Sequence, residues 1–272
     1  MAPLAAGGGI IGLIIMAAVY FLTGDPQQAK RVAEKVNETR QQGQPHQGEG
    51  QAPKDGAKEF AQKILGLTDE VWSDQFRFHG HRNYEKPHLV LFSRAVDTGC
   101  GHAPSEVGPF YCPADKVVYI DPTFFDELEN KLGGSKADFS KAYVIAHEVG
   151  HHVQNLIGYN AREEQFRRRE GDNAGIRLEL QADYLAGVCW HYAEKKRHLL
   201  ERGDVDAALT TAKAIGDDRL QKRARGWVSP EKFTHGTSAQ RLKYFKDGFE
   251  TGDASKKKLD HFFDPNVSPL EL

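Results

Sequence analysis

Charge of one sign is scarce in this sequence: 36 Lys and Arg stand against 38 Asp and Glu, a formal net charge of −2. That balance supplies no long-range attraction to a polyanion, so there is no electrostatic case for nucleic-acid binding. The basic runs Arg167-Arg168-Arg169 and Lys256 to Lys258 are local and offset by acids, and they read as solvated surface. Cysteine is equally sparse. Cys100 and Cys112 are too far apart for a zinc knuckle, and Cys189, set in an apolar helical run, reads as a buried free thiol. No internal repeat is present.

Long hydrophobic runs are confined to one place. Leu4 to Leu22 carries no charge, and its nineteen residues would span about 28 Å as a helix, close to the roughly 30 Å of bilayer hydrocarbon. The expectation is an N-terminal transmembrane helix over 1–24, since no Lys or Arg precedes the run and no small-x-small cleavage site closes it. Residues 25–56 follow as a polar linker: a possible polar helix to Arg40, then a Gln/Gly/Pro-rich stretch from Gln41 to Gly56 without large apolar residues. A domain over 57–272 is then long enough, at 39% hydrophobic residues for the chain, to bury one sizeable core.

The most informative stretch is His147-Glu148-Val149-Gly150-His151. On a helix, residues four apart share a face one turn apart, so both imidazoles can reach one metal ion with Glu148 directed at the water it holds. This spacing is that of a zinc-dependent peptide hydrolase with a glutamate base. The surrounding run from Phe139 has apolar residues at helical spacing, with Asp138 placed to cap it and Gly158 to end it. Gly150 costs roughly 1 kcal/mol in a helix interior, which points either to a close approach or to a tolerated small residue. His152 is turned about 100° from His151 and reads as a surface or supporting group.

A catalytic zinc takes three protein ligands. The pattern H-E-x-x-H-x-x-G-x-x-H is excluded, because Gln154 and Ile157 hold the diagnostic positions. Downstream, Glu179 and Asp183 lie four apart in the helical run Arg177 to Gly187. Two carboxylates on one side of an otherwise apolar helix call for cations. Glu179 is the preferred third ligand and Asp183 the acceptor for the other ring N–H of a ligand histidine, His147 first. Glu163, Glu164, Glu170, Asp172, His191 and His235 remain as alternatives, although the three glutamates alternate with arginines and read as a charged, solvated segment. His235, in Thr234-His-Gly-Thr-Ser238, is the candidate oxyanion donor or else a structural histidine. Tyr159 and Tyr244 are weaker candidates for that task.

These residues carry a resemblance. Cys100-Gly101, Gly108 to Asp115, Val118 to Asp121, the histidine motif, Glu179 to Asp183, Gly236-Thr-Ser and Phe245 to Gly252 together resemble the bacterial neutral zinc metallopeptidase family, within the zincin-like group that uses a glutamate as third ligand. The resemblance implies an α+β, zincin-like fold, mainly helical, with a small β-sheet before the active-site helix. It also implies Zn²⁺ as cofactor, peptide or protein as substrate, and a strand edge beside the site, for which Val117 to Ile120 is the candidate, with an ordinary core strand as the alternative reading of those residues.

Two strands are expected from composition, His88–Ser93 and Lys116–Asp121, and two short helices around Phe60–Leu65 and Val71–Phe76. Lys30, Arg31 and Lys35 after the apolar run would keep the main domain cytoplasmic. A Cys100–Cys112 disulfide and the resemblance point outward instead. The expectation is therefore a single-pass protein of the bacterial inner membrane, with its catalytic domain periplasmic or extracellular. The functional expectation is a zinc metalloendopeptidase; its rival is a zinc-stabilised scaffold or binding protein without turnover.

Overall fold

The computed structural model describes residues 55–81 and 83–272. Within them, helices dominate and two small sheets accompany them, an α+β arrangement. The first helix, α1 (Asp55–Phe78), is one continuous element where two short ones were expected. Its apolar residues Ala61, Val71, Trp72 and Phe76 are buried, and Gly66 faces open space, so no packing demand breaks the helix there.

Five short strands follow: β1 (His88–Leu91), β2 (Ala95–Thr98), β3 (Gly101–Pro104), β4 (Phe110–Cys112) and β5 (Val117–Ile120). The order in the larger sheet is β1-β5-β4, with β1 parallel and β4 antiparallel to β5. The strands expected near 88 and 117 are therefore present, while β2, β3 and β4 were not anticipated. Strand β5 is central and all four of its residues are buried. It cannot be the substrate edge assigned to Val117–Ile120, because its backbone is paired on both sides. The outer strands are β1 and, on the opposite side of β5, β4. Cys112 at its end is joined by a disulfide to Cys100 in the β2–β3 turn, with Cα atoms 5.8 Å apart.

Helix α2 (Thr123–Glu127) runs on through a wider turn at Leu128–Leu132. The motif helix α3 spans Asp138–Ile157. Its N-cap is Ala137 without a side-chain bond, so Asp138 serves the first turn by its charge rather than as the cap. Gly158 ends it in the left-handed region at φ 88°, as expected. Then come α4 (Tyr159–Glu170), α5 (Gly175–Arg197), α6 (Asp204–Ala214), α7 (Asp217–Arg225), α8 (Ser238–Thr251) and α9 (Lys256–Asp260). Thr237 and Gln240 form a capping box at the start of α8.

The core is where α3, α5 and α8 cross. A Cβ on Gly187 of α5 would lie 2.1 Å from the Phe245 carbonyl oxygen, and one on Gly248 of α8 would lie 2.0 Å from that of Tyr184. Those distances leave no room for any side chain, so the two backbones meet directly. Gly150 plays the milder version between α3 and α5, where a Cβ would come within 3.0 Å of the Ala182 oxygen. The glycine inside the motif is thus explained by a helix crossing.

One expectation needs correction. Among the described residues no helix is long and apolar enough to cross a membrane. The single-pass inner-membrane placement, with a periplasmic or extracellular domain, accordingly finds no support in the fold. Its basis, the run Leu4 to Leu22, lies outside the described residues, as does the linker up to residue 54.

Candidate metal centre

Two helices bring the site together. Helix α3 supplies His147, Glu148 and His151 from one face, and the close crossing at Gly150 draws α5 near enough for Glu179 to reach both imidazoles. His147 Nε2 lies 3.2 Å from Glu179 Oε2 and His151 Nε2 lies 3.5 Å from Glu179 Oε1. The two rings stand nearly perpendicular, 87° apart in plane. One donor atom from each of these three residues falls within 4.8 Å of the other two. The set suits a divalent cation: two imidazole nitrogens and a carboxylate form a recognised three-ligand set for catalytic zinc.

Each imidazole is oriented from behind. His147 Nδ1 donates to Asp183 Oδ1 at 2.9 Å, which turns Nε2 toward the centre. His151 Nδ1 lies 2.9 Å from Gln154 Oε1, while the Gln154 amide nitrogen donates to Leu178 O and Gln181 Oε1. Gln154, which in the sequence only ruled out the longer motif, therefore holds the second imidazole.

Asp183 is fully buried and carries more than one partner. Arg241 of α8 donates to it twice, from Nε at 2.8 Å and from a terminal nitrogen at 3.0 Å, and the Tyr143 hydroxyl donates at 2.5 Å. Burial alone would raise the Asp183 pKa, but Arg241 and His147 draw it down to about 2. Burial likewise opposes charge on His147, yet Asp183 and Glu179 push its pKa up to about 10. Glu179 is held well below the ordinary carboxylate range, with His151 and His235 outweighing its burial. The centre thus holds two buried carboxylates in their charged form, an environment that suits a cation.

Glu148 and the three donors line a cavity of about 750 Å³. Burial pushes the Glu148 pKa up, against the pull of His147 and His151. His235 lines the same cavity. Its loop is gripped by Asp217, a buried carboxylate at the start of α7 that accepts from the backbone N–H groups of Thr234, His235 and Gly236. Asp217 Oδ1 also lies 3.3 Å from His235 Nδ1.

Among the described residues, the other candidates do not join the three donors. His152 is fully buried between Tyr111 and Glu85 rather than at the surface. Because a carbonyl only accepts, its Nε2 donates to Glu85 O at 2.6 Å and its Nδ1 is left to accept from the Tyr111 hydroxyl at 2.9 Å. Both nitrogens are committed. His191 Nδ1 donates to Phe249 O, Glu170 pairs with Arg177, and Tyr159 binds Asp260. Glu163, read as solvated, is instead buried against Arg167. Arg241, Tyr143 and Asp217 went unnoticed in the sequence. For Arg241 a signal existed: it shares a helical face with Tyr244, Phe245 and Gly248, where an unpaired cation would be costly.

A family model described as "Putative neutral zinc metallopeptidase" matches residues 2–260. The chain belongs to that family. Among curated proteins, YpfJ of Escherichia coli (strain K12) is 40% identical over 265 residues, covering 93% of this chain and 86% of that protein. Rv2575 of Mycobacterium tuberculosis (strain ATCC 25618 / H37Rv) is 45% identical over 195 residues, 68% of this chain and 64% of that protein. No solved structure matches. For a member of the neutral zinc metallopeptidase family, the cluster His147, His151 and Glu179 is a candidate metal site.

Proposed function

We propose that this chain is a zinc-dependent endopeptidase with a zincin-like catalytic domain, in which His147, His151 and Glu179 hold Zn²⁺. The observation that carries the reading is the convergence of those three donors beside Glu148 on the wall of one cavity. A zinc ion there would polarise a scissile carbonyl and acidify a water molecule. The chain's own residues do the rest. Glu148 accepts the proton of the attacking water and delivers it to the leaving amine. A carboxylate whose pKa is raised by burial suits both halves of that exchange. Asp183 keeps the His147 ring turned, and Arg241 keeps Asp183 charged. His235, fixed by Asp217, presents its free ring nitrogen toward the cavity as donor to the developing oxyanion. The outer strand β4, whose residues Phe110 and Tyr111 line the cavity, offers backbone groups to an extended peptide.

The test combines metal content with turnover. The purified protein binds one zinc per chain and cleaves an unfolded protein substrate, and a chelator stops it. Glu148→Gln keeps the zinc and loses cleavage. Retained cleavage by that variant removes Glu148 as the base.

A further inference from the structure

Helix α7 and the loop after it form a basic ridge beside the mouth of the cavity. Leu220, Arg223 and Ala224 line the cavity, while Arg219, Lys222 and Arg223 are exposed. Residues three and four apart share a helical face, so these cations stand in one row, and Arg223 belongs to both row and cavity. Arg225 stacks on Trp227, its guanidinium carbon 4.1 Å from a ring centroid. Trp227 is itself 54% exposed and Val228 38%, so the row ends in an apolar tip.

No acid neutralises the row. Arg223 and Arg225 donate to neutral acceptors, Lys131 O and Gln221 Oε1, and among the described residues none of the four cations makes an ion pair with a carboxylate. The acids of α7 itself turn away: Asp217 accepts from Thr234 N and Asp218 from Ser238 N. Glu127, on the cavity wall, pairs with Lys131. Glu231 feels Arg225, but it feels Lys232 as well. A row of exposed cations without counterions attracts carboxylates.

We infer that this ridge is an exosite for an acidic stretch of the polypeptide that enters the cavity. The inference rests on the peptidase reading above. Arg223 decides the occupant: whatever lies along the ridge continues into the cavity, so it is the substrate chain itself and not a separate ligand. From Arg219 to Arg225 the helix rises about 9 Å, the reach of about three extended residues. Two or three acids in succession therefore match the row, with an apolar neighbour against Trp227.

The experiment separates docking from turnover. The zinc-loaded Glu148→Gln full chain binds one peptide extended by four glutamates at either end, and the same peptide extended by four glutamines. The glutamate tail at one end lowers Kd about tenfold at low ionic strength, and the advantage disappears near about 1 M salt, where the screening length is about 3 Å. The double change Arg219→Glu and Lys222→Glu brings the two peptides to the same Kd, and Trp227→Ala removes part of the difference. With the unaltered zinc-loaded protein, KM follows the same order. Equal Kd for both tails, or an advantage that survives the charge reversal, overturns the exosite and leaves the peptidase reading standing. Reversal-sensitive binding of phosphatidylglycerol vesicles with no advantage for the glutamate tail overturns it in favour of a membrane contact. No cleavage of any peptide by the zinc-loaded protein overturns both readings.

Discussion

Arg241 Nε lies 2.8 Å from Asp183 Oδ2, and both side chains are almost wholly shielded from solvent. The pair lies behind His147, so the arginine acts on the metal centre through the aspartate. Removing a single partner leaves a buried charge without its counterion, a loss of about 3–5 kcal/mol. Arg241→Met is therefore expected to lower unfolding stability by that order and to weaken zinc binding about 10–100-fold, the usual effect of losing an outer partner of a ligand. Denaturant titration of the metal-free protein and competition with a chelating dye measure the two separately. Unchanged zinc affinity would show that Asp183 needs no arginine to orient His147.

The glycine crossing makes a graded prediction. Gly248→Ala has no space at 2.0 Å from the Tyr184 oxygen and is expected to cost about 3 kcal/mol or more, at the upper end of overpacking effects. Gly150→Ala meets Ala182 at 3.0 Å and gains roughly 1 kcal/mol of helix propensity, so its loss is smaller. Urea midpoints of the two variants rank them. The reverse order would mean that α3 and α5 are the tighter crossing.

His152 joins α3 to β4 through Tyr111 and to the preceding segment through Glu85 O. Replacing it by Leu comes close to its volume and breaks both bonds. The expected result is a raised KM with kcat and zinc stoichiometry little changed, since the strand that lines the cavity loses its tie while the donors keep theirs. Loss of zinc would instead make His152 part of the metal centre.

Stability should also carry a mark of Asp69 in α1. Burial raises its pKa to about 6, against the influence of Lys86 and Tyr84. The folded protein then binds more protons than the unfolded chain between about pH 4, the ordinary Asp value, and about pH 6. The contribution of Asp69 is consequently full below that window and is lost as pH rises through it. Asp69→Asn removes that part of the slope, so urea midpoints for the two proteins diverge in favour of the variant as pH climbs from 4 to 7. Parallel profiles would show Asp69 titrating alike in both states.

Much of the centre was legible because its chemistry repeats at short spacing. His147, Glu148 and His151 share a face by helix geometry alone, and Glu179 with Asp183 announced themselves as two acids where cations were needed. Arg241 was hidden because its partner lies 58 residues away in the chain. Strand β4 was hidden for another reason: at three residues it is too short to display an alternation, and only its pairing with β5 defines it. The substrate edge was misplaced for the same cause, since β5 has the stronger strand composition but sits in the middle of the sheet. Glu163 was misjudged because alternation with arginine looks the same whether the acid faces water or lies beneath its own ion pair with Arg167.

The contact between Gly187 and Gly248 has a mechanical consequence. Where two helices touch backbone to backbone, neither can slide or roll without a clash, so α5 and α8 form a single rigid beam. Glu179, Asp183 and Arg241 all ride on that beam and keep their spacing whatever the rest of the protein does. On the proposed peptidase reading, room for a polypeptide comes from outside that beam, where α4, α7 and the segment around Phe124 line the cavity.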